Sequence, residues 1–139
     1  MDLDTVVRYF ETLTPESLAR LGEHYTEDAY FRDPFNEVRG VAEVRSIFER
    51  MFESLHDPRF VVVNRIAEGD QAMLEWDFRF RIRRYRPREP WVIHGTSHVR
   101  LASDGRVRYH RDYWDAGAEL YARLPVLGPV VRWVARRMG

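Results

Sequence analysis

The sequence contains no cysteine and no lysine, and its 22 arginines are matched by 22 aspartates and glutamates. Without cysteine there can be no disulfide, no thiolate metal ligand and no thiol nucleophile. Without lysine there is no side-chain amine to form a Schiff base with a carbonyl substrate. A formal net charge of zero removes the global basic field that gathers polyanions, so no nucleic-acid partner is expected. Long apolar runs are missing too, and none approaches the ~20 residues of a membrane-spanning helix. The opening Met1-Asp2-Leu3-Asp4 is acidic, unlike a secretory leader, and fits a cytoplasmic protein. The five histidines are scattered, and neither a metal centre nor a cofactor is expected. What is present is apolar material, 45% of 139 residues, enough for the core of one domain over residues 1–139.

Hydrophobic spacing puts helices first. Leu3, Val6, Val7, Phe10 and Leu13 recur at helical period, and Thr14-Pro15-Glu16 offers a cap and first turn for a second helix carrying Leu18, Leu21 and Tyr25. A short strand over residues 29–33 stops at Pro34, and a third helix follows Gly40 until Asp57-Pro58 ends it. Alternation then predicts an antiparallel meander of four strands, roughly 60–67, 71–84, 91–101 and 106–115, divided by turn residues. In the second of these, Leu74, Trp76, Phe78, Phe80 and Ile82 form an apolar face, and period two turns it inward. Residues 116–139 form a broken helical extension containing Leu120, Leu124, Val126, Leu127, Val130, Trp133 and Val134 beside several arginines. The pattern is α+β: a curved, cone-shaped mixed sheet with three N-terminal helices on its concave face and a C-terminal helical extension.

Chemistry concentrates in His110-Arg111-Asp112-Tyr113-Trp114-Asp115. Alternate residues of a strand share a side, so His110, Asp112 and Trp114 line one wall. A carboxylate enclosed beside aromatics can serve as an acid or base.

The order of elements over residues 3–115 resembles the nuclear transport factor 2-like superfamily, which includes ketosteroid isomerases, SnoaL-like polyketide cyclases and limonene epoxide hydrolases. The resemblance rests on Val6-Val7-Arg8-Tyr9, on Tyr25-Thr26-Glu27-Asp28-Ala29 leading to Arg32-Asp33-Pro34, on Ser97-His98-Val99-Arg100, and on Arg111-Asp112-Tyr113-Trp114-Asp115. It implies that Tyr9, which precedes Asp33 by 24 residues, is an oxyanion donor and Asp33 a general base. Ser97 takes the place of the neutral carboxylic acid for which ketosteroid isomerase is the standard example. Asp112 resembles an acid-base aspartate of the epoxide hydrolases, whose Arg-x-Asp partner falls near Glu75-Trp76-Asp77 without its arginine. That alignment would turn Glu75 and Asp77 inward, against the periodicity.

The resulting expectation is a cofactor-independent acid-base enzyme of isomerase, cyclase or hydrolase type, acting on a small hydrophobic carbonyl or lipid-like molecule. Asp33 or Asp112 moves the proton, Tyr9 meets the oxyanion, His110 relays or orients, and Phe35, Trp76, Phe78, Ser97 and Trp114 shape the cavity. The alternatives are a non-catalytic hydrophobic-ligand-binding module and a membrane-surface lipid handler using the last helix and the arginines of residues 79–88. The breaks in the last segment favour capping of the cone's mouth over membrane contact. The resemblance also implies a homodimer through the outer sheet face that carries Tyr109, Arg111 and Tyr113.

Overall fold

The computed structural model describes residues 2–125 and 127–138; Met1, Val126 and Gly139 lie outside the described residues. Helix α1 (Leu3–Glu11) is capped by Asp2, whose carboxylate accepts the Thr5 amide at 3.1 Å, and it buries Val6, Val7, Tyr9 and Phe10. A 3₁₀ turn (Glu16–Arg20) and the single-turn α2 (Leu21–His24) lead straight into β1 (Tyr25–Arg32). β2 (Glu37–Arg39) follows, then α3 (Val41–Ser54), the long strands β3 (Leu55–Glu68), β4 (Gln71–Ile82) and β5 (Trp91–Leu101), and β6 (Val107–Tyr113). Short α4 (Ala116–Glu119), a 3₁₀ turn (Tyr121–Arg123) and α5 (Leu127–Met138) complete the described chain.

The six strands form one curved mixed sheet in the order β2-β1-β6-β5-β4-β3, with β1 parallel to β6 and the other neighbours antiparallel. Val6, Phe10, Leu21, Val44 and Phe48 from the helical side meet Phe31, Leu74, Trp76, Ile93 and Val99 from the sheet in a single core. In β4, Leu74, Trp76 and Phe80 are buried while Glu75 and Asp77 lie on the other face, as period two requires.

Three boundaries differ from the sequence expectation. Tyr25 opens β1 instead of ending a helix, because pairing with Val107 across the sheet outweighs local helical spacing. Asp57-Pro58 does not stop α3; the helix already ends at Ser54 and β3 runs on through the proline. β3 is a sheet edge, where a missing amide is tolerated, and the register shifts between His56 and Arg59 with Asp57 at φ +49°. Residues 116–125 turn over the mouth of the sheet, but α5 contributes nothing to the cavity wall, so capping is confined to the first part of the extension.

Gly95 fixes the spacing between β5 and the aromatic wall. A Cβ there would lie 2.6 Å from the Trp76 ring and 2.9 Å from the Tyr113 carbonyl oxygen. Gly95→Ala is therefore expected to push Trp76 out of place and to destabilise the fold by about 1–3 kcal/mol, the usual cost of overpacking. Urea unfolding of the variant against wild type measures it.

Candidate active site

His110 and Asp112 are two apart on β6 and both face the concave side, His110 almost fully buried and the Asp112 side chain 13% exposed. His110 Nε2 lies 2.7 Å from Asp112 Oδ1, and its Nδ1 lies 2.6 Å from the hydroxyl of Tyr25. On the other side of Asp112, Ser97 Oγ donates to the same Oδ1 at 2.5 Å and itself accepts from Trp76 Nε1 at 2.8 Å. Parallel pairing of β1 with β6 and antiparallel pairing of β4, β5 and β6 bring these five residues together from four strands.

The donors of this chain can be assigned from chemistry alone. An indole N–H can only donate, so Ser97 accepts from Trp76 and spends its own proton on Asp112. With Asp112 as a carboxylate, a neutral His110 must present Nε2–H to it, which leaves Nδ1 as the acceptor of the Tyr25 hydroxyl. Both inner bonds end on Oδ1. Among the described residues no donor reaches Oδ2, and Asp112 lines the cavity. One carboxylate oxygen is thus held by two donors, while the other has none among the described residues.

That cavity has a volume of about 480 Å³, within the range of small-molecule sites. Its wall is predominantly apolar, with Phe31, Phe48, Phe60, Trp76, Phe78 and Trp114 prominent and Asp33, Asn36, Arg50, Ser54 and Asp112 as the polar side chains. Phe60 stacks on Phe78 at 4.3 Å between ring centroids and meets Trp76 edge-on at 5.5 Å. At the rim, Phe35 is 54% exposed and packs edge-on against Trp114 and Tyr121.

Asp33 shares this cavity with Asp112, but its carboxylate is already engaged. Oδ1 accepts the backbone amides of Phe35 and Asn36, each at 2.8 Å, and the Asn36 side-chain amide spans both oxygens at 3.1 and 3.2 Å. This is the turn chemistry of an Asp-Pro sequence, and it anchors Asn36 on the cavity wall.

Tyr9 is not at the cavity. Its hydroxyl donates to the Ser17 carbonyl at 2.8 Å, and its ring stacks on His24 at 3.9 Å. The 3₁₀ turn folds back onto α1 and takes up the phenol, so the oxyanion role expected for Tyr9 is contradicted by its position. His24 is half-buried in that stack, and burial lowers its pKa below the ordinary histidine value. Ser97 donates to Asp112 and is not among the residues that line the main cavity.

Alongside Asn36 on the cavity wall, sequence reasoning missed Tyr25. It is fully buried, and burial, aided by the Asp112 charge, pushes its hydroxyl well above the ordinary tyrosine range. Burial also raises Tyr9, partly offset by the Ser17 bond. Both groups release protons more readily in the unfolded chain, which makes the folded form the one that binds more protons above pH about 10. Stability is expected to be intact below that pH and to fall as pH rises through it. Phenolate absorbance should then show Tyr9 and Tyr25 ionising together with unfolding.

On the opposite face of the sheet, His94 bridges Asp77 at 2.9 Å and Glu75 at 2.8 Å, and the Asp77 and Glu75 bonds raise its pKa. His98 is four residues further on the same strand, roughly 13 Å away at a strand's rise of about 3.3 Å per residue. Among the described residues no group of three or more His, Asp or Glu is placed to hold a metal ion.

The curved sheet, helical cover and apolar cavity define a nuclear transport factor 2-like fold. Residues 6–110 match the SnoaL-like domain family, and the chain belongs to that family. No curated protein matches the chain. Among solved structures, a candidate SnoaL-like polyketide cyclase from Jannaschia sp. CCS1 is 20% identical, with a TM-score of 0.71 over 84% of this chain and 86% of that one. A protein with a ketosteroid isomerase-like fold from Catenulispora acidiphila DSM 44928, in complex with trimethylamine, is 14% identical, with a TM-score of 0.71 over 86% and 92%. AclR from Streptomyces galilaeus, a candidate hydroxylase, is 20% identical, with a TM-score of 0.67 over 96% and 86%. At these identities the likeness is one of fold, and the names attached to it span different chemistries.

Proposed function

We propose that the protein is a cofactor-independent isomerase or cyclase that transfers a proton at a carbon next to a carbonyl group in a small, mostly hydrophobic substrate. The observation that carries this reading is Asp112, which lines the apolar cavity with Oδ1 held by His110 and Ser97 and, among the described residues, no donor on Oδ2. Asp112 Oδ2 takes the proton from carbon, and the pair of electrons moves into the carbonyl to give an enolate. In an isomerase the same oxygen returns the proton at another carbon; in a cyclase the enolate carbon attacks a second carbonyl of the same molecule, whose π electrons move to its oxygen, and that alkoxide takes the proton back from Asp112. The bonds from His110 and Ser97 persist through both steps, because Oδ1 remains an acceptor whether or not Oδ2 carries a proton.

With Tyr9 committed elsewhere, we assign the developing oxyanion to Asn36, a neutral N–H donor on the cavity wall held in place by Asp33. Asp33 is then a positioning residue, and Phe60, Trp76, Phe78 and Trp114 select a flat apolar substrate. A homodimer through the outer face bearing Tyr109 and Tyr113 belongs to the same proposal. The test is a panel of apolar enones and dicarbonyl compounds, assayed for double-bond migration and ring closure. Turnover of any member that is lost in Asp112→Asn supports the reading. A panel that binds in the cavity without reacting assigns the protein to ligand carriage.

A further inference from the structure

Helix α5 is largely uncovered. Leu127, Val130, Trp133, Val134 and Met138 are exposed, Met138 to 84%. At 3.6 residues per turn, Leu127, Val130, Val134 and Met138 fall on one stripe, while Arg132 and Arg136 lie on the opposite side. Arg137 stacks over Trp133 at 5.0 Å, at the margin of the stripe. The helix is nonetheless tied to the body at its start. The Gly128 amide donates to the Leu124 carbonyl at 2.7 Å, the Arg132 guanidinium reaches the Ala122 carbonyl, and a Cβ on Gly128 would lie 2.6 Å from that same Ala122 oxygen. Its orientation is set by these contacts and its apolar stripe is left facing outward.

This region is basic on balance, with Glu119 paired to Arg123 at 3.6 Å. After Glu119 the sequence has no acidic residue and four arginines, at 123, 132, 136 and 137. The same end of the molecule holds the cavity rim, where Arg50 and Leu120 line the opening, Arg83 donates to the Leu55 carbonyl at 3.0 Å, and Arg123 lies 5.2 Å over Trp91. Arg84 and Arg88 are exposed beside it.

We propose that α5, with the arginines around the cavity rim, docks the protein on an anionic phospholipid surface, its apolar stripe entering the headgroup region. An amphipathic helix with Arg137 at the margin of its apolar face and a basic opposite side has the chemistry for this, and the sign of the charge selects anionic over neutral lipid. No helix among the described residues is long and apolar enough to cross a membrane, so the contact is peripheral. Docking at this end places the cavity mouth close to the phase in which an apolar substrate dissolves. The surface contact does not depend on the chemistry assigned to Asp112.

Co-sedimentation of the full chain with phosphatidylcholine vesicles, with and without phosphatidylglycerol, tests the proposal. The expected result is capture by the phosphatidylglycerol vesicles only, weakening as salt is raised. At about fivefold per arginine, the combined Arg132→Gln, Arg136→Gln and Arg137→Gln variant should bind on the order of 100-fold more weakly. Val134→Glu should also abolish capture while leaving circular dichroism and turnover of a dissolved substrate unchanged, which separates this proposal from the catalytic one. Equal capture by both vesicle types, no capture at low salt, or undiminished capture of the triple variant would overturn it. So would a dimer in sedimentation velocity that Val134→Glu dissociates without any vesicle binding, which would give the stripe to a second copy.

Discussion

Asp112→Asn is expected to lower turnover by about 100-fold or more while leaving the fold and ligand affinity close to those of wild type, the scale on which a positioned acid or base contributes. The substitution keeps the size and planarity of the side chain, and an amide oxygen in the Oδ1 position still accepts from His110 and Ser97. What it removes is the open oxygen that can take a proton. The drop should therefore appear in kcat, with KM little changed, since the apolar wall that binds the substrate is untouched. Steady-state kinetics of the variant, beside urea unfolding to confirm its stability, measures both parts.

The second large effect is expected from Tyr25→Phe, which touches no ligand. Tyr25 is fully buried, and its hydroxyl supplies the bond to His110 Nδ1. Removing it leaves a buried ring nitrogen without a partner, which costs about 1–3 kcal/mol. It also removes the constraint that keeps the proton on Nε2, and with it part of the grip on Asp112 Oδ1. Turnover should fall by roughly tenfold, as is common when the group orienting a site residue is lost. Nitrogen-15 NMR of the His110 ring distinguishes this from simple loosening: wild type should show a single Nε2–H tautomer and the variant a mixture. A variant that is less stable but keeps the wild-type tautomer and turnover would confine Tyr25 to packing.

The parts of this site that the sequence discloses are those set by local periodicity. His110 and Asp112 are related by period two within one strand, with Trp114 just past its end, and the apolar face of β4 follows the same rule, so alternation alone identifies Trp76 and Phe78 as cavity lining. The turn at Asp33 is likewise local. Tyr25 is not legible because its partner lies 85 residues away and is reached through a parallel pairing that local spacing does not encode. Unless β1 is known to begin at Tyr25, the residue reads as one more apolar position of a helix. Tyr9 shows the opposite failure: its separation from Asp33 matches a family pattern, but the Glu16–Arg20 turn folds onto α1 and supplies the Ser17 carbonyl, a contact invisible in the spacing. The same limit applies to α5, whose broken apolar pattern reads as a cap although its placement leaves the stripe uncovered.

The central claim is that Asp112 moves a proton to and from carbon in an apolar cavity. The most direct measurement is deuterium incorporation, followed by NMR, into the carbon next to the carbonyl of a flat apolar ketone incubated with the protein in heavy water. It reports the proton-transfer step without requiring the natural substrate or a complete reaction. Wild type is predicted to exchange that position well above the rate in buffer, and Asp112→Asn to exchange it at the buffer rate although the ketone still binds. Equal exchange by the two proteins would contradict the account.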